Sequence, residues 1–243
     1  MAASQTAIEI RQLFQLPEFE EVLALQKSIW GFEDIELLPL RFLVVVSKVG
    51  GHVFGAYDGN RMIGFCFAIP GIKSDGRPYL HSHMLGVLPD YRNHAVGRNL
   101  KLRQREDALA RGIQVIEWTF DPLELKNAFL NIEKLGAIVR RYNVNQYGTT
   151  SSPLHGGLPT DRCIAEWWIA SPRADGQRTC GAIAQRISYP ADIARIREQE
   201  PDRAREIQGA NARKFLDAFA QGLAVTGFER SETEGTYLLE PWQ

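Results

Sequence analysis

Strand-like and helix-like stretches alternate along this chain, and the alternation predicts an α/β fold. Three observations carry that expectation. Residues 52–57 and 62–69 are two apolar runs joined by Asp58-Gly59-Asn60, a turn in which Gly59 can take the positive φ of a tight hairpin. Residues 85–88 form a strand that passes through Pro89-Asp90-Tyr91 into the loop Arg92-Asn93-His94-Ala95-Val96-Gly97, which a helix-forming run, residues 99–104, leaves. Residues 121–136 carry complete helix punctuation: Asp121 as cap, Pro122 at the first position, Glu124 closing a capping box and Gly136 ending the run.

The other elements follow in order. Residues 8–13 alternate weakly, as a strand does, and residues 17–30 place Phe19, Val22, Leu23, Leu25 and Ile29 at helical spacing; residues 39–49 are a second helical stretch. In the 121–136 helix, Leu125, Ala128, Phe129, Ile132 and Leu135 lie three or four apart and predict its buried stripe. Residues 149–159 are a turn-rich loop of the length that shapes pockets, and 163–170 are strand-like. A polar, glycine-containing stretch at 172–181 marks a boundary. Beyond it come a strand at 182–189, a long amphipathic helix at 201–221 ended by Gly222, and a terminal hairpin of 224–230 and 236–240. There is no internal repeat and no low-complexity tract.

Composition narrows the function. A length of 243 residues suits one sizeable α/β domain, or a domain of ordinary size with a smaller appended unit, and a net charge of -1 gives no general attraction to nucleic acid or anionic membrane. Three widely spaced cysteines, Cys66, Cys163 and Cys180, make neither a disulfide framework nor a zinc knuckle. Residues 37–49 are too short to span a bilayer and are interrupted by Arg41 and Lys48, and the first residues lack a secretory pattern. The expectation is a soluble, unprocessed, cytoplasmic protein with no nucleic-acid or membrane partner.

The loop is the most informative segment. A strand-to-helix turn exposes backbone N–H groups at a helix start, where unpaired donors and the helix dipole favour a phosphate or pyrophosphate. No GxxxxGK[ST] occurs, and no GxGxxG follows a strand. Arg98, Lys101, Arg103 and Arg105 precede the helix's first acidic residue, Glu106, a cationic first half set where phosphates would lie. The alternative reading is an ordinary solvated turn, and cations in a first turn oppose the dipole.

Val87-Leu88-Pro89-Asp90-Tyr91-Arg92-Asn93-His94-Ala95-Val96-Gly97 resembles the acyl-CoA loop of the GNAT N-acyltransferases, written V-x-P-x-Y-R/Q-x-x-G-x-G/A, with Ala95 in place of the first glycine. Residues 127–137, Asn127-Ala128-Phe129-Leu130-Asn131-Ile132-Glu133-Lys134-Leu135-Gly136-Ala137, are similar to that family's N…A…LYEKLGF helix end. The resemblance implies a mixed, mostly antiparallel central sheet with helices on both faces over 1–171, and a C-terminal α/β extension over 182–243 packed on it. It implies acetyl-CoA or another acyl-CoA as cofactor, held by Leu85, Val87, Arg92, Asn93, His94, Ala95, Val96, Gly97, Arg98 and Asn127. The extended form, with Trp118-Thr119-Phe120-Asp121-Pro122-Leu123 and Pro159-Thr160-Asp161-Arg162, looks like a bacterial branch associated with N-acylation of amino acids, N-succinylation included.

In such enzymes an amine attacks the thioester directly, so the protein supplies a proton route and a donor for the oxyanion. By resemblance that donor is the backbone N–H of Val87 or of Gly86, and Gly86 also offers a place for strand distortion. His81 and His83 share one face of the strand that leads into the loop and are base candidates, with packing as the equal alternative. The same pair could begin a zinc site, but no further ligands are marked, and no metal is expected. Where the family often has a tyrosine that protonates the thiolate, this chain has Ile132; Tyr142 and Tyr147, on the strand after the helix, are substitutes unless they are core residues. Glu117 and Asp121 are weaker bases. Arg162 either grips an acceptor carboxylate or pairs structurally with Asp161. Trp30, Trp167 and Trp168 either line the acceptor pocket or fill the core. The expected function is acyl transfer to a small-molecule amine; the rivals are a non-catalytic acyl-CoA-binding or regulatory protein and an interaction module built on the terminal helix. Residues 182–243 either cap the acceptor pocket, pair with another subunit in a homodimer or extend the core.

Overall fold

The computed structural model describes residues 7–148, 156–177 and 181–242. The chain divides into two compact units, Met1–Ile116 and Glu117–Gln243.

In the first unit, strands β1 (Glu9–Gln12), β2 (His52–Asp58), β3 (Arg61–Ile72) and β4 (Pro78–Val87) lie side by side in that order, each antiparallel to the next. The β2–β3 hairpin turns at Gly59 with φ +57°, a conformation that only glycine adopts without strain. Helix α1 (Leu16–Trp30) begins where Glu18 accepts hydrogen bonds from the backbone N–H groups of Phe14 and Gln15, both at 2.8 Å, and it ends at left-handed Gly31. With α2 (Leu40–Lys48) it packs on β2, β3 and β4, burying Phe19, Val22, Leu43 and Val46 against Phe65 and Phe67. Helix α3 (Val96–Ala110) covers the other face: Gly86 points at Ile29 and Trp30 of α1, whereas Leu85 and Val87 point at Gly97 of α3. The expectation of helices on both faces holds for this unit. Helix α3 starts three residues before the run that signalled it, so Val96 and Gly97 form its first turn.

The second unit holds β5 (Val115–Phe120, its first two residues closing the first unit), β6 (Ile138–Asn143), β7 (Arg162–Trp168), β8 (Gln185–Pro190), β9 (Leu223–Arg230) and β10 (Glu234–Pro241) in the order β5-β7-β6-β9-β10-β8. The β6–β7, β6–β9, β9–β10 and β8–β10 pairs are antiparallel. The stretch beyond residue 182 thus continues the sheet of β6 and β7. Helices α5 (Ile193–Gln199) and α6 (Pro201–Ala220) follow β8, and α6 lies on β6, β8 and β9. Tyr237 centres the core, 5.2 Å from the ring of Phe215 and 4.8 Å from that of Phe228.

One element differs from expectation. The stretch 121–136 is not a single α-helix: α4 is the short Leu125–Ala128, and Phe129–Lys134 is a π-helical segment in which Leu135 N–H reaches back to Leu130 O. Asp121 does not cap it; its Oδ1 accepts from Leu123 N–H at 2.8 Å in a turn, and Glu124 pairs with Arg197 instead of closing a capping box. The wider winding rotates Asn131 into the core beside Ile132, while Leu125 and Phe129 of the expected stripe are only half-buried. Tyr147 lies in the turn after β6, not on the strand. Helix α5 was not marked in the sequence, and β8 begins at Gln185. Residues 149–155 of the pocket-shaping loop lie outside the described residues.

Candidate functional site

The loop before α3 forms because two of its residues accept left-handed backbone. Asn93 has φ +67° and Ala95, the N-cap of α3, φ +60°. These kinks turn the chain from the 3-10 turn Pro89–Tyr91 into the helix, leaving the N–H groups of Val96, Gly97 and Arg98 without intrahelical acceptors. No acidic residue lies in the first turn. Tyr91 anchors the loop by donating to Asp58 at 2.8 Å, and Arg92 Nε donates to Val87 O at 3.3 Å. Arg92, His94 and Arg98 are solvent-exposed.

Gly97 tests whether this loop fits a pyrophosphate. Its φ is not positive, and a Cβ there would meet Leu85 at 3.4 Å and Val87 at 3.8 Å, ordinary contacts. Neither backbone conformation nor packing requires glycine. A Cβ there would point toward β4, so what an anion at this helix start would meet is the N–H groups of the first turn, with no acidic residue beside them. The residues present fit the phosphorylated end of CoA.

Strand β4 leads into this loop. Leu88 N–H donates to Ile63 O at 2.9 Å, and Phe65 pairs with Gly86 and Gly64 with Val87. Because bonded and non-bonded pairs alternate in an antiparallel ladder, the amides of Leu85 and Val87 turn away from β3. The register slips between Phe67 and Ala68: Met84 faces Phe67 and Ser82 faces Ala68, so His83 is the extra residue of a β-bulge. The strand distortion therefore lies at His83. Gly86 has a packing role, since a Cβ there would come within 2.7 Å of Trp30 and 2.8 Å of Ile29.

The structure brings the two histidines together, their ring centroids 5.8 Å apart, with Phe67 5.4 Å from His83. His83 is solvent-exposed on β4, yet partial desolvation lowers its pKa below the usual histidine value. Trp30 stacks on Phe32 and meets Phe65 edge-on, lying over Gly86. Lys101 corrects the picture of a wholly solvated cationic helix face: it is buried, and its Nζ donates to Ser82 Oγ at 2.8 Å.

The second unit places the remaining candidates. Asn127 is exposed on α4, and Ile132 is fully buried in the π-helical segment. Tyr142 is buried, stacked on Phe215, and its hydroxyl donates to Asp161 at 2.7 Å. Burial and the neighbouring carboxylate push its pKa far above the usual tyrosine value. Asp161 also accepts from Asn145 N–H, so its carboxylate serves the β6–β7 connection and not Arg162. Arg162 donates to Asp161 O, lies over the Tyr147 ring at 5.4 Å and sits 3.9 Å from Asp121. Burial raises the Asp121 pKa, opposed by Arg162 and Arg197. Trp167 is wholly buried, edge-on to Trp118. Glu117 is buried and paired with Arg141 at 2.5 Å; Arg141 also bonds Glu166, which Arg140 meets at 2.5 Å.

Sequence reading missed this charge ladder and the Lys101–Ser82 contact. One signal for the latter was present: on β4 the apolar positions change parity, from Leu80 to Leu85 and Val87, as a bulge requires. Among the described residues, no group of three or more His, Cys, Asp or Glu side chains is placed to hold a metal ion, and no helix is long and apolar enough to cross a membrane.

The profile of the acetyltransferase (GNAT) family matches residues 9–136. Among solved structures, the ribosomal-protein-S18-alanine N-acetyltransferase of Escherichia coli superposes with a TM-score of 0.53 at 18% identity, over 68% of this chain and 95% of that one. A GNAT-family acetyltransferase described as putative, from Desulfovibrio desulfuricans, gives 0.53 at 18% identity, over 68% and 100%. Naa50 of Arabidopsis thaliana, in complex with the bisubstrate analogue CoA-Ac-MVNAL, gives 0.51 at 15% identity, over 66% and 97%. No curated protein matches the chain by sequence.

Proposed function

Because the chain belongs to the acetyltransferase (GNAT) family, we propose that it moves an acetyl or similar acyl group, succinyl included, from acyl-CoA to the amine of a small molecule such as an amino acid. The observation that carries this reading is the first turn of α3, where the N–H groups of Val96, Gly97 and Arg98 have no intrahelical acceptor and no acidic residue beside them. Acyl-CoA, when bound, supplies an activated thioester.

The backbone from Asn93 to Arg98 holds the pyrophosphate, with Arg92 and His94 at the rim. The amide of Val87, turned away from β3, and that of Leu85 serve as donors to the bound cofactor, with Val87 stabilising negative charge that develops on the carbonyl oxygen. His83, with His81 beside it, takes the proton of the acceptor ammonium at a ring nitrogen. Its lowered pKa keeps the ring neutral, and so competent, to a more acidic pH than an ordinary histidine allows. Trp30 walls the acceptor side of β4. Tyr142 acts in packing, since its proton is committed to Asp161. A thiol of ordinary pKa, about 8.5, leaves as thiolate with little help, so Ile132 is compatible with turnover.

Thiol release from acetyl-CoA and succinyl-CoA, measured against a panel of amino acids and a short peptide, tests the reading. Amine-dependent release is expected, with the acid limb of kcat/KM below about pH 6.5 and a loss of about 100-fold in kcat for His83→Ala. Saturable CoA binding with no amine-dependent release would instead identify a non-catalytic acyl-CoA-binding protein, the reading that buried Ile132 favours.

A further inference from the structure

We propose that Lys101 is a positioning residue for the acyl transfer proposed above, on which this inference rests: with Gln104 it clamps Ser82 and so sets the β4 bulge that presents His83 and the Leu85 and Val87 amides.

The clamp is a directed chain of hydrogen bonds. Lys101 Nζ donates to Ser82 Oγ at 2.8 Å, and Ser82 Oγ donates to Gln104 Oε1 at 2.9 Å. All three side chains are buried, with relative exposures of 4% for Lys101, 4% for Ser82 and 0% for Gln104. Lys101 and Gln104 are three apart on α3 and share its inner face. Their helix is the one whose first turn forms the cradle, so the same rigid rod meets cofactor and strand.

Parity along β4 explains what the clamp decides. Ser82 points at α3, and so do Leu85 and Val87, whose side chains approach Gly97. Residues 82 and 85 are an odd number apart, and a regular strand would place them on opposite faces. One extra residue must intervene, and the register identifies it as His83. Release of Ser82 opens an alternative in which β4 pairs regularly and one half slips by a residue, exchanging faces and amide directions together. A buried hydroxyl held by two partners opposes that slip, because the slip would leave it without them.

Packing alone gives no reason for an amine here. An aliphatic side chain of similar size would fill the space without burying a charge, and burial lowers the Lys101 pKa to about 7, with the Cys66 thiol of β3 as its titratable neighbour. Such a group is retained for the arrangement that it specifies.

Three variants test the role in the full chain: Lys101→Met, Ser82→Ala and the hydroxyl-retaining Ser82→Thr. Expected for Lys101→Met and Ser82→Ala is a fall in kcat of about 10- to 100-fold, as for a displaced catalytic group, with the KM for acetyl-CoA within about threefold of wild type. Hydrogen exchange at the amides of residues 84–87, read without substrate, should quicken in both, while Ser82→Thr keeps wild-type exchange and most of kcat. Unchanged kcat and unchanged exchange in folded Ser82→Ala would overturn the proposal, as would a loss confined to KM. If Lys101→Met does not fold, the Ser82 pair decides. A wild type without amine-dependent release refutes the acyltransferase reading and with it the role in transfer; release by wild type alongside unaffected variants refutes only the clamp.

Discussion

Two alanine-sized decisions shape the cradle. Ala95 occupies a left-handed conformation, φ +60°, at the position where the family's loop carries glycine, and an L-residue there is strained by about 1–2 kcal/mol. Replacing Ala95 with glycine should therefore stabilise the protein by about 1 kcal/mol, raising the apparent Tm by about 2–4 °C, measurable by differential scanning fluorimetry. A lower Tm would show that the extra freedom of glycine in the unfolded chain outweighs the relief. Gly97 differs: its φ is not positive, and a Cβ there would make ordinary contacts with Leu85 and Val87 of β4. Sequence reading found this loop because its residue types announce it. It misplaced Lys101 because a lysine in a charged helix ordinarily faces water, and only the polar partner on β4 reveals otherwise.

At the scale of elements, the β2–β3 hairpin, α1, α2 and the β9–β10 hairpin were legible, since apolar periodicity and a turn glycine agree locally. The π-helical segment was not. Its punctuation at Asp121, Pro122 and Gly136 reads as α-helix, and the segment's Glu133 is tied to a partner 95 residues away, its Oε1 accepting from Phe228 N–H on β9 at 2.7 Å. The β4 bulge was legible only as a parity change. The junction of α1 with β4 gives a testable consequence: Gly86→Ala places a methyl against the rigid Trp30 ring and should destabilise by about 1–3 kcal/mol. Trp30→Ala introduced with it should recover part of that loss in a urea-unfolding double-mutant cycle; strict additivity would mean that the two positions do not meet.

At the scale of the molecule, the sequence indicated an α/β chain with a C-terminal addition, and in the structure that addition belongs to the same compact unit as β6 and β7. The reason is physical: β8, β9 and β10 continue the sheet of β6 and β7, so the later strands share one core with them, centred on Tyr237. Long-range pairings of this kind leave no local trace. Candidate catalytic groups were legible as types, His81 and His83 above all, whereas what each touches was not: Tyr142 and Glu117 are both committed to partners that lie far off in sequence.

The reading stands or falls on whether the first turn of α3 cradles the phosphates of CoA. Calorimetric titration of CoA into the wild-type protein and a Gly97→Pro variant, which removes one of the three first-turn N–H donors where a helix tolerates proline, decides it. Saturable binding at one site is expected in the wild type, with affinity at least about tenfold weaker in the folded variant. Equal affinity in the two proteins, or no binding by a folded wild type, would contradict it.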